Sequence, residues 1–550
     1  MELKKVFLIF GLAVGVKLFG QVNIPSGDIS GNFQSLNQFY FRDDRIGANT
    51  IQYRRQKTST EAWLFLNYKI SGFDIQARYD LFNNSPLLNP QSAYSNVGLG
   101  FWQINKSIQK LSLTAGYFYD QFGSGTIFRA YEDRLIGLDY AVQGVKASYR
   151  FDETFEIKAF SGQQKGFLDL SNNEDSRFRV TPQILMGMSA IKFFQIGKSW
   201  SLETNAGLVK NTKDQNTLNK LISEISSFTD ASRIFQPKSN TYAYNVGATA
   251  RYKDFAFEAE YNGLSNTAQR DLFNQDLYSA PGHVWFGSLS YSTKGFGANV
   301  QYKKVQDFQF RTSPNYILLN GMATYLPSIT RQNVYRLLAR YAPAVQLMGE
   351  TAYQGDFIYS PNKKFTFNLN LSKVDQFNDE KLYREIYVDG NYKIDKNLKL
   401  MLGIQYVEYN QKVYQINALA PFVYATTPFT EVSYKIDKKK SVRVEAQYMH
   451  CNQDLGSFIN GLVEYNVSPH WSISVGDMVN TNTVRTPGTP QEALSDEIIH
   501  YYNFFVAYNL KNTRFVLNYL KQVQGVNCTG GICRVEPAFS GIKAGLTTNF

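Results

Sequence analysis

After Gln21 the chain contains no run of about 18 apolar residues, the least that a membrane-crossing helix requires, and what recurs instead is strict alternation. Ala62, Leu64, Leu66, Tyr68 and Ile70 form one apolar face, while Glu61, Asn67 and Lys69 lie on the other. A period of two puts neighbouring side chains on opposite faces of a β-strand. The same pattern sets Tyr244, Val246, Ala248, Ala250 and Tyr252 against Asn245, Thr249, Arg251 and Lys253. It sets Leu398, Leu400, Leu402, Ile404 and Tyr406 against Lys399 and Gln405, and Val442, Val444, Ala446 and Tyr448 against Arg443, Glu445 and Gln447. Aromatic residues tend to close the apolar faces, as the interfacial girdle of a membrane barrel requires.

The connections come in two lengths. Ser71-Gly72, Lys253-Asp254, Lys294-Gly295, 395–397, 437–441, Pro469-His470 and Lys511-Asn512 are short polar turns of the kind that close hairpins. Longer polar stretches occupy 169–182, 211–240, 410–419 and 481–497. Short turns on one side and long loops on the other is the asymmetry of an outer-membrane barrel. A soluble propeller or sandwich explains the strands but not the one-sided loop lengths.

Eleven short-turn hairpins, a first strand near 32–42 and a last near 540–550 predict 24 strands, within a range of 22 to 26. The segment 334–342 would make a twenty-fifth and leave the termini on opposite sides of the membrane, so it reads as loop or lumen material. The predicted fold is an all-β, transmembrane, antiparallel up-and-down β-barrel. Its final strand places Ile542, Ala544, Leu546, Thr548 and the terminal Phe550 on one face. An aromatic carboxy-terminal strand of this kind, with Leu546, Thr548 and Phe550 at its core, resembles the signal that outer-membrane barrels present to their insertion machinery.

Composition agrees with one face of each strand meeting lipid: 19% of residues are charged, whereas Tyr (37) and Phe (41) are abundant among the 550 residues. At the amino terminus, Lys4 and Lys5 precede the apolar stretch 6–16, and Gly20 offers a small residue for cleavage. This layout predicts a secretory signal at 1–20 and a single barrel domain over 21–550, located in the cell outer membrane. Loss of Lys4, Lys5, Lys17 and Glu2 lowers the formal net charge from +11 to +9. Spread over the mature chain, that excess suits basic turns near anionic lipid and gives no reason to expect nucleic acid. The first strand begins about twelve residues after the cut, so no separate amino-terminal plug domain is expected. Barrels of about 16–18 strands leave an aqueous channel, so a 24-stranded lumen needs infolded loops or a partner protein to narrow it.

The stretch 122–137 is a candidate infolded element. It packs Arg129, Glu132, Asp133 and Arg134 into six residues, as suits a wall-anchored ion-pair network or a constriction in a polar lumen, though a solvated loop fits as well. Gly123 and Gly125 are not a phosphate loop, since no third Gly or Lys-Ser/Thr follows. Cys528 and Cys533, separated by Thr-Gly-Gly-Ile in an exported chain, predict a disulfide rather than half of a metal site. Cys451 adjoins His450, but strand neighbours point to opposite faces and make a poor ligand pair. His283, His470 and His500 read as turn or rim residues. No His-Glu-x-x-His, Gly-x-Ser-x-Gly or Walker A pattern occurs, and no catalytic residue, cofactor or metal is expected.

The run Ile127-Phe128-Arg129-Ala130-Tyr131-Glu132-Asp133-Arg134 combines with Leu326-Pro327-Ser328-Ile329-Thr330-Arg331-Gln332, Gly349-Glu350 and Cys528-Thr529-Gly530-Gly531-Ile532-Cys533-Arg534. Together these segments resemble an uncharacterised outer-membrane barrel family of the Bacteroidota. The resemblance implies location and fold, not substrate. Three functions compete: a porin-like channel for passive or gated solute passage, a subunit of a larger outer-membrane complex in secretion or envelope assembly, and a surface hydrolase. The channel is preferred, with outer-membrane lipid, the barrel-insertion machinery and a possible envelope protein as partners. The hydrolase has almost no support in the sequence.

Overall fold

A computed structural model describes residues 27–86, 93–134, 137–169, 174–271, 274–316, 319–345, 347, 349–377, 379–482, 498–529 and 532–550. The expected signal segment 1–20 lies outside the described residues. Twenty-four antiparallel strands form one sheet, each paired with the next in the chain. The ring closes where Asp28–Tyr40 pairs with Phe539–Asn549, in a register running from Asn32 opposite Asn549 to Tyr40 opposite Gly541. A sheet closed on itself has no unpaired edge. At the seam the Gly31 N–H donates to the Phe550 carbonyl at 2.8 Å and the Phe550 N–H returns to Gly31 at 3.0 Å. A Cβ on Gly31 would lie 2.4 Å from the Phe550 ring, so only glycine lets the terminal aromatic cross the first strand.

The first strand starts at Asp28, earlier than the expected 32, because backbone pairing with the next strand extends to Asp28 opposite Lys69. The 24 strands form without the segment 334–342, which lies inside the barrel with Tyr335, Leu337, Leu338 and Tyr341 buried. Helical elements were not foreseen, among them Gln52–Gln56 and Gln411–Tyr414. Within the long connection expected at 211–240, the helix Gln215–Ser226 is capped by Asp214, whose carboxylate accepts from the Thr217 N–H. It buries Leu221 and Ile225 against Leu277.

The alternation sorts side chains as their chemistry requires. On Asn240–Tyr252, Tyr244 and Val246 stand exposed on the outer face, while Thr241, Ala243 and Asn245 are buried inward. Rings gather at both ends of the outer face. Near the short turns, cross-strand rings stack at Trp200 and Tyr252 (4.4 Å) and at Phe365 and Tyr392 (4.4 Å), and pack at a tilt at Phe255 and Tyr291 (4.6 Å) and Trp471 and Tyr508 (4.5 Å). Toward the long loops, Tyr261 meets Trp285 (4.3 Å) and Tyr302 meets Tyr353 (5.2 Å). From Tyr244 to Tyr252 the strand advances about 26 Å at ~3.3 Å per residue. A tilt of about 40° reduces that to about 20 Å, close to the ~25 Å apolar band of an outer-membrane barrel.

Candidate functional site: the obstructed lumen

Burial inside the barrel is concentrated toward the long-loop end. On Asn240–Tyr252 the inward residues pass from buried Thr241, Ala243 and Asn245 to half-buried Thr249 and exposed Arg251 at the turn end. The filling comes from connections 119–141 and 307–348, which fold inward between consecutive wall strands. Phe122, Ile127, Phe128 and Ala130 from the first pack with Phe308, Phe310, Met322, Ala323 and Leu326 from the second.

The segment 119–141 is held to the wall by charge. Arg78, inward on Phe73–Ser85 and 2% exposed, donates to Asp80 at 2.7 Å, to Glu132 at 2.8 Å and to Asp139 at 2.8 Å. Lys165 Nζ lies 2.6 Å from Asp139, and Tyr119 OH donates to the same carboxylate at 2.9 Å. Arg134 pairs with Glu132 at 3.0 Å and donates to Gln34 at 2.7 Å. Room for Asp80 exists because position 100 is glycine: a Cβ there would sit 1.9 Å from the Asp80 carboxylate. Charges this deep are tolerated only because each finds a partner.

Of the four residues singled out in the sequence, Glu132 and Arg134 therefore enter one network. Arg129 turns elsewhere: its guanidinium lies 3.8 Å from the Tyr325 ring centroid and 4.9 Å from that of Tyr131. Its N–H donates to the Ala323 carbonyl at 2.9 Å, which joins the two infolded segments. Asp133 pairs through its backbone with Leu138 in a short internal ribbon. Arg78, Asp80, Asp139 and Lys165 were missed, since no local spacing connects residues that only barrel closure brings together. Gly123 has a positive φ of 53° and sits against the wall, where a Cβ would meet Asn245 at 2.6 Å and Glu260 at 2.7 Å. Glu260 also accepts from the Ser124 N–H at 3.1 Å.

The segment 307–348 crosses the lumen. Gln164 donates to the Met322 carbonyl at 2.7 Å, whereas Gln447 accepts from the Leu337 N–H at 2.8 Å. Gln164 is on Phe155–Lys165, the seventh wall strand, and Gln447 on Lys440–Cys451, the nineteenth, so they stand on opposite sides of a ring of 24. Between these points Lys303 donates to Pro327 at 2.6 Å, Asn333 to Glu385 at 3.1 Å and Tyr335 to Glu431 at 2.9 Å. At the far end Arg340 and Tyr341 both reach Asp454, at 2.8 and 3.0 Å, and Gln411 donates to its other oxygen at 3.1 Å. Burial in the loop 452–456 would raise the Asp454 carboxyl, but the charge of Arg340 with these donors outweighs it and holds the group below the usual carboxylate range.

A cavity of about 620 Å³ remains beside the seam, bounded by Gln38 and Glu61 of the wall, Arg134 of one infolded segment and Arg336 and Arg340 of the other. Its size is that of small-molecule sites, which run to several hundred Å³.

A protein-family profile matches residues 3–550. The chain belongs to the DUF6029 family. That family is one of unknown function. No curated protein sequence matches the chain. Among solved structures, this DUF6029 barrel is similar to the translocation pore of the P pilus usher PapC, with 10% identity, 95% of this chain and 99% of that chain covered, and a TM-score of 0.42. It is also similar to a chain of an E. coli P pilus tip assembly intermediate, at 10% identity, 94% and 60% coverage and a TM-score of 0.47. A third is the ferric-catecholate import receptor Fiu from E. coli K12, at 8% identity, 96% and 82% coverage and a TM-score of 0.40.

The remaining singled-out residues lie apart from the lumen filling or at its margin. Cys451 is buried and faces inward, while His450 is exposed on the opposite face. His283 meets Tyr261, His470 meets the Asn509 carbonyl and His500 meets Asp477 at 2.6 Å. Among the described residues no group of three His, Cys, Asp or Glu could hold a metal ion. In the ribbon Gly525–Thr529 and Ile532–Glu536, Cys528 stands directly opposite Cys533. The link between those two strands, 530–531, lies outside the described residues.

Proposed function

We propose that this DUF6029 chain is an outer-membrane β-barrel that passes small polar solutes through a lumen narrowed by its own infolded segments, and that it carries no catalytic role. The observation that carries the reading is the pairing of an apolar outer face, bounded by two aromatic belts, with a polar lumen that one wall-tethered segment lines and another crosses, leaving a cavity of about 620 Å³ beside the seam. A barrel of this strand number left open would breach the permeability barrier, and tethered internal segments leave a passage limited by the cavity between them. Purified, refolded chain in planar bilayers is expected to give discrete current steps well below those of an unobstructed pore of this strand number. No current after verified insertion would sink the channel and favour a barrel that serves as a subunit of a larger envelope assembly.

A disulfide between Cys528 and Cys533 belongs to the same reading, because opposed residues on antiparallel strands lie within the Cα range that a disulfide bridges. Alkylation under denaturing, non-reducing conditions is expected to label Cys451 alone. Labelling of all three cysteines in chain taken from an oxidising compartment would rule the cross-link out.

A further inference from the structure

The cavity beside the seam has an uneven charge balance. Its lining sets Arg134, Arg336, Arg340 and Lys543 against Glu61, Asp454 and Glu536. Two of the arginines are matched in ion pairs: Arg340 faces Asp454 at 2.8 Å, and Arg134 is 3.0 Å from Glu132. Arg336 is not. Its guanidinium makes only long bonds to backbone carbonyls, at 3.3 Å to Tyr501 and 3.4 Å to Lys521, and among the described residues no carboxylate forms an ion pair with it, Asp477 acting on it only through space. A half-buried guanidinium held by two marginal carbonyl contacts has unused charge and unused donors. The same cavity wall carries further buried atoms without a partner among the described residues: the donors Gln52 Nε2 and Arg134 Nε, and the acceptors Gln411 Oε1 and Asn503 Oδ1.

We propose that this cavity binds a small solute bearing a carboxylate or phosphate group together with hydroxyl or amide groups, with the Arg336 guanidinium as the partner of the anion. The planar fork of arginine takes two oxygens of such a group at once, which the paired Arg340 and Arg134 cannot do without giving up their own carboxylates. The unpartnered side-chain amides supply both donors and acceptors for the neutral part of the solute. The proposal rests on the passage reading of the lumen and specifies its solute class.

Binding is measured by calorimetry on the full chain in detergent, with inorganic phosphate and citrate as separate probes and glucose as the neutral control. Saturable heat with at least one of the two anions and none with glucose is expected. Arg336→Met weakens that binding about tenfold or more, and Arg336→Lys restores part of it. Folding of each variant is checked by its heat-dependent gel migration, and Arg336→Gln replaces the methionine variant if that one does not fold. Absence of binding by both anions in the parent chain, or equal affinity in a folded Arg336→Met or Arg336→Gln barrel, overturns the anion site. The two readings fail separately: a barrel that binds the anion but carries no current keeps the site and loses the channel, whereas one that conducts without binding keeps the channel and loses the site.

Discussion

Replacing residues 309–346 by a short Gly-Ser turn is expected to convert the narrowed barrel into a wide pore, with a single-channel conductance several-fold above that of the full chain. The ends of this segment are already joined at the wall, where the Phe308 N–H donates to the Leu347 carbonyl at 2.9 Å, so a short turn can close them without moving the strands Phe296–Gln306 and Gly349–Tyr359. What is lost is the element that reaches from Gln164 to Gln447 across the ring. Cells making the shortened chain are expected to become permeable to large hydrophilic antibiotics. Conductance equal to that of the full chain would mean that this segment does not obstruct the path. Some stability goes with it, since Leu337, Tyr341 and Leu326 leave buried sites, but the wall hydrogen bonds remain intact.

Arg78→Met is expected to destabilise the barrel by about 3–5 kcal/mol, the range for removing one partner of a buried ionic cluster. Three carboxylates, Asp80, Glu132 and Asp139, share that guanidinium, and Lys165 serves only Asp139. Without it Asp80 loses its ion-pair partner beside Phe65 and Phe101, over which the guanidinium now stacks at 5.7 and 5.9 Å, and Glu132 keeps only Arg134. The cheapest relief is for the segment 119–141 to leave the wall. The variant is therefore expected to flicker between the parent conductance and a larger one, with unfolding in urea at lower concentration. A change in unfolding free energy below about 0.5 kcal/mol, the size of an ordinary surface substitution, would show that the network holds nothing in place. Surface ion pairs offer a contrast: Arg42 and Asp44, both half-exposed at 2.9 Å, lie in solvent that screens them.

Much of the wall was legible in advance. The apolar residues Leu66, Val246, Leu402 and Val444 stand exposed on the outer face where the period of two put them, and the strand count follows from turn spacing. These features are local: a strand's two faces are fixed by the sign of each residue's transfer free energy, and a two-residue turn fixes the register of its neighbours. The lumen was legible only in part. Arg129, Glu132, Asp133 and Arg134 drew attention by density, yet density could not separate the residue that stacks on Tyr325 from those that reach Arg78. Arg336 drew none, because an arginine in a polar connection is unremarkable until the fold leaves it without an ion pair.

By itself the sequence determined alternating strands with an apolar outside, a polar inside and loops unequal at the two ends, because each of those is set by residues within a few positions of one another. Only the tertiary structure decided which connections turn inward, how 307–348 spans the ring, and that Arg78 and Arg336 differ so much in company. Those outcomes depend on pairs more than fifty residues apart in the chain, such as Arg78 with Glu132 or Gln447 with Leu337. They meet because closing 24 strands encloses a space in which a buried charge takes its partner from whichever strand or loop is nearest, and stays unpaired where, as at Arg336, no carboxylate comes within ion-pair distance.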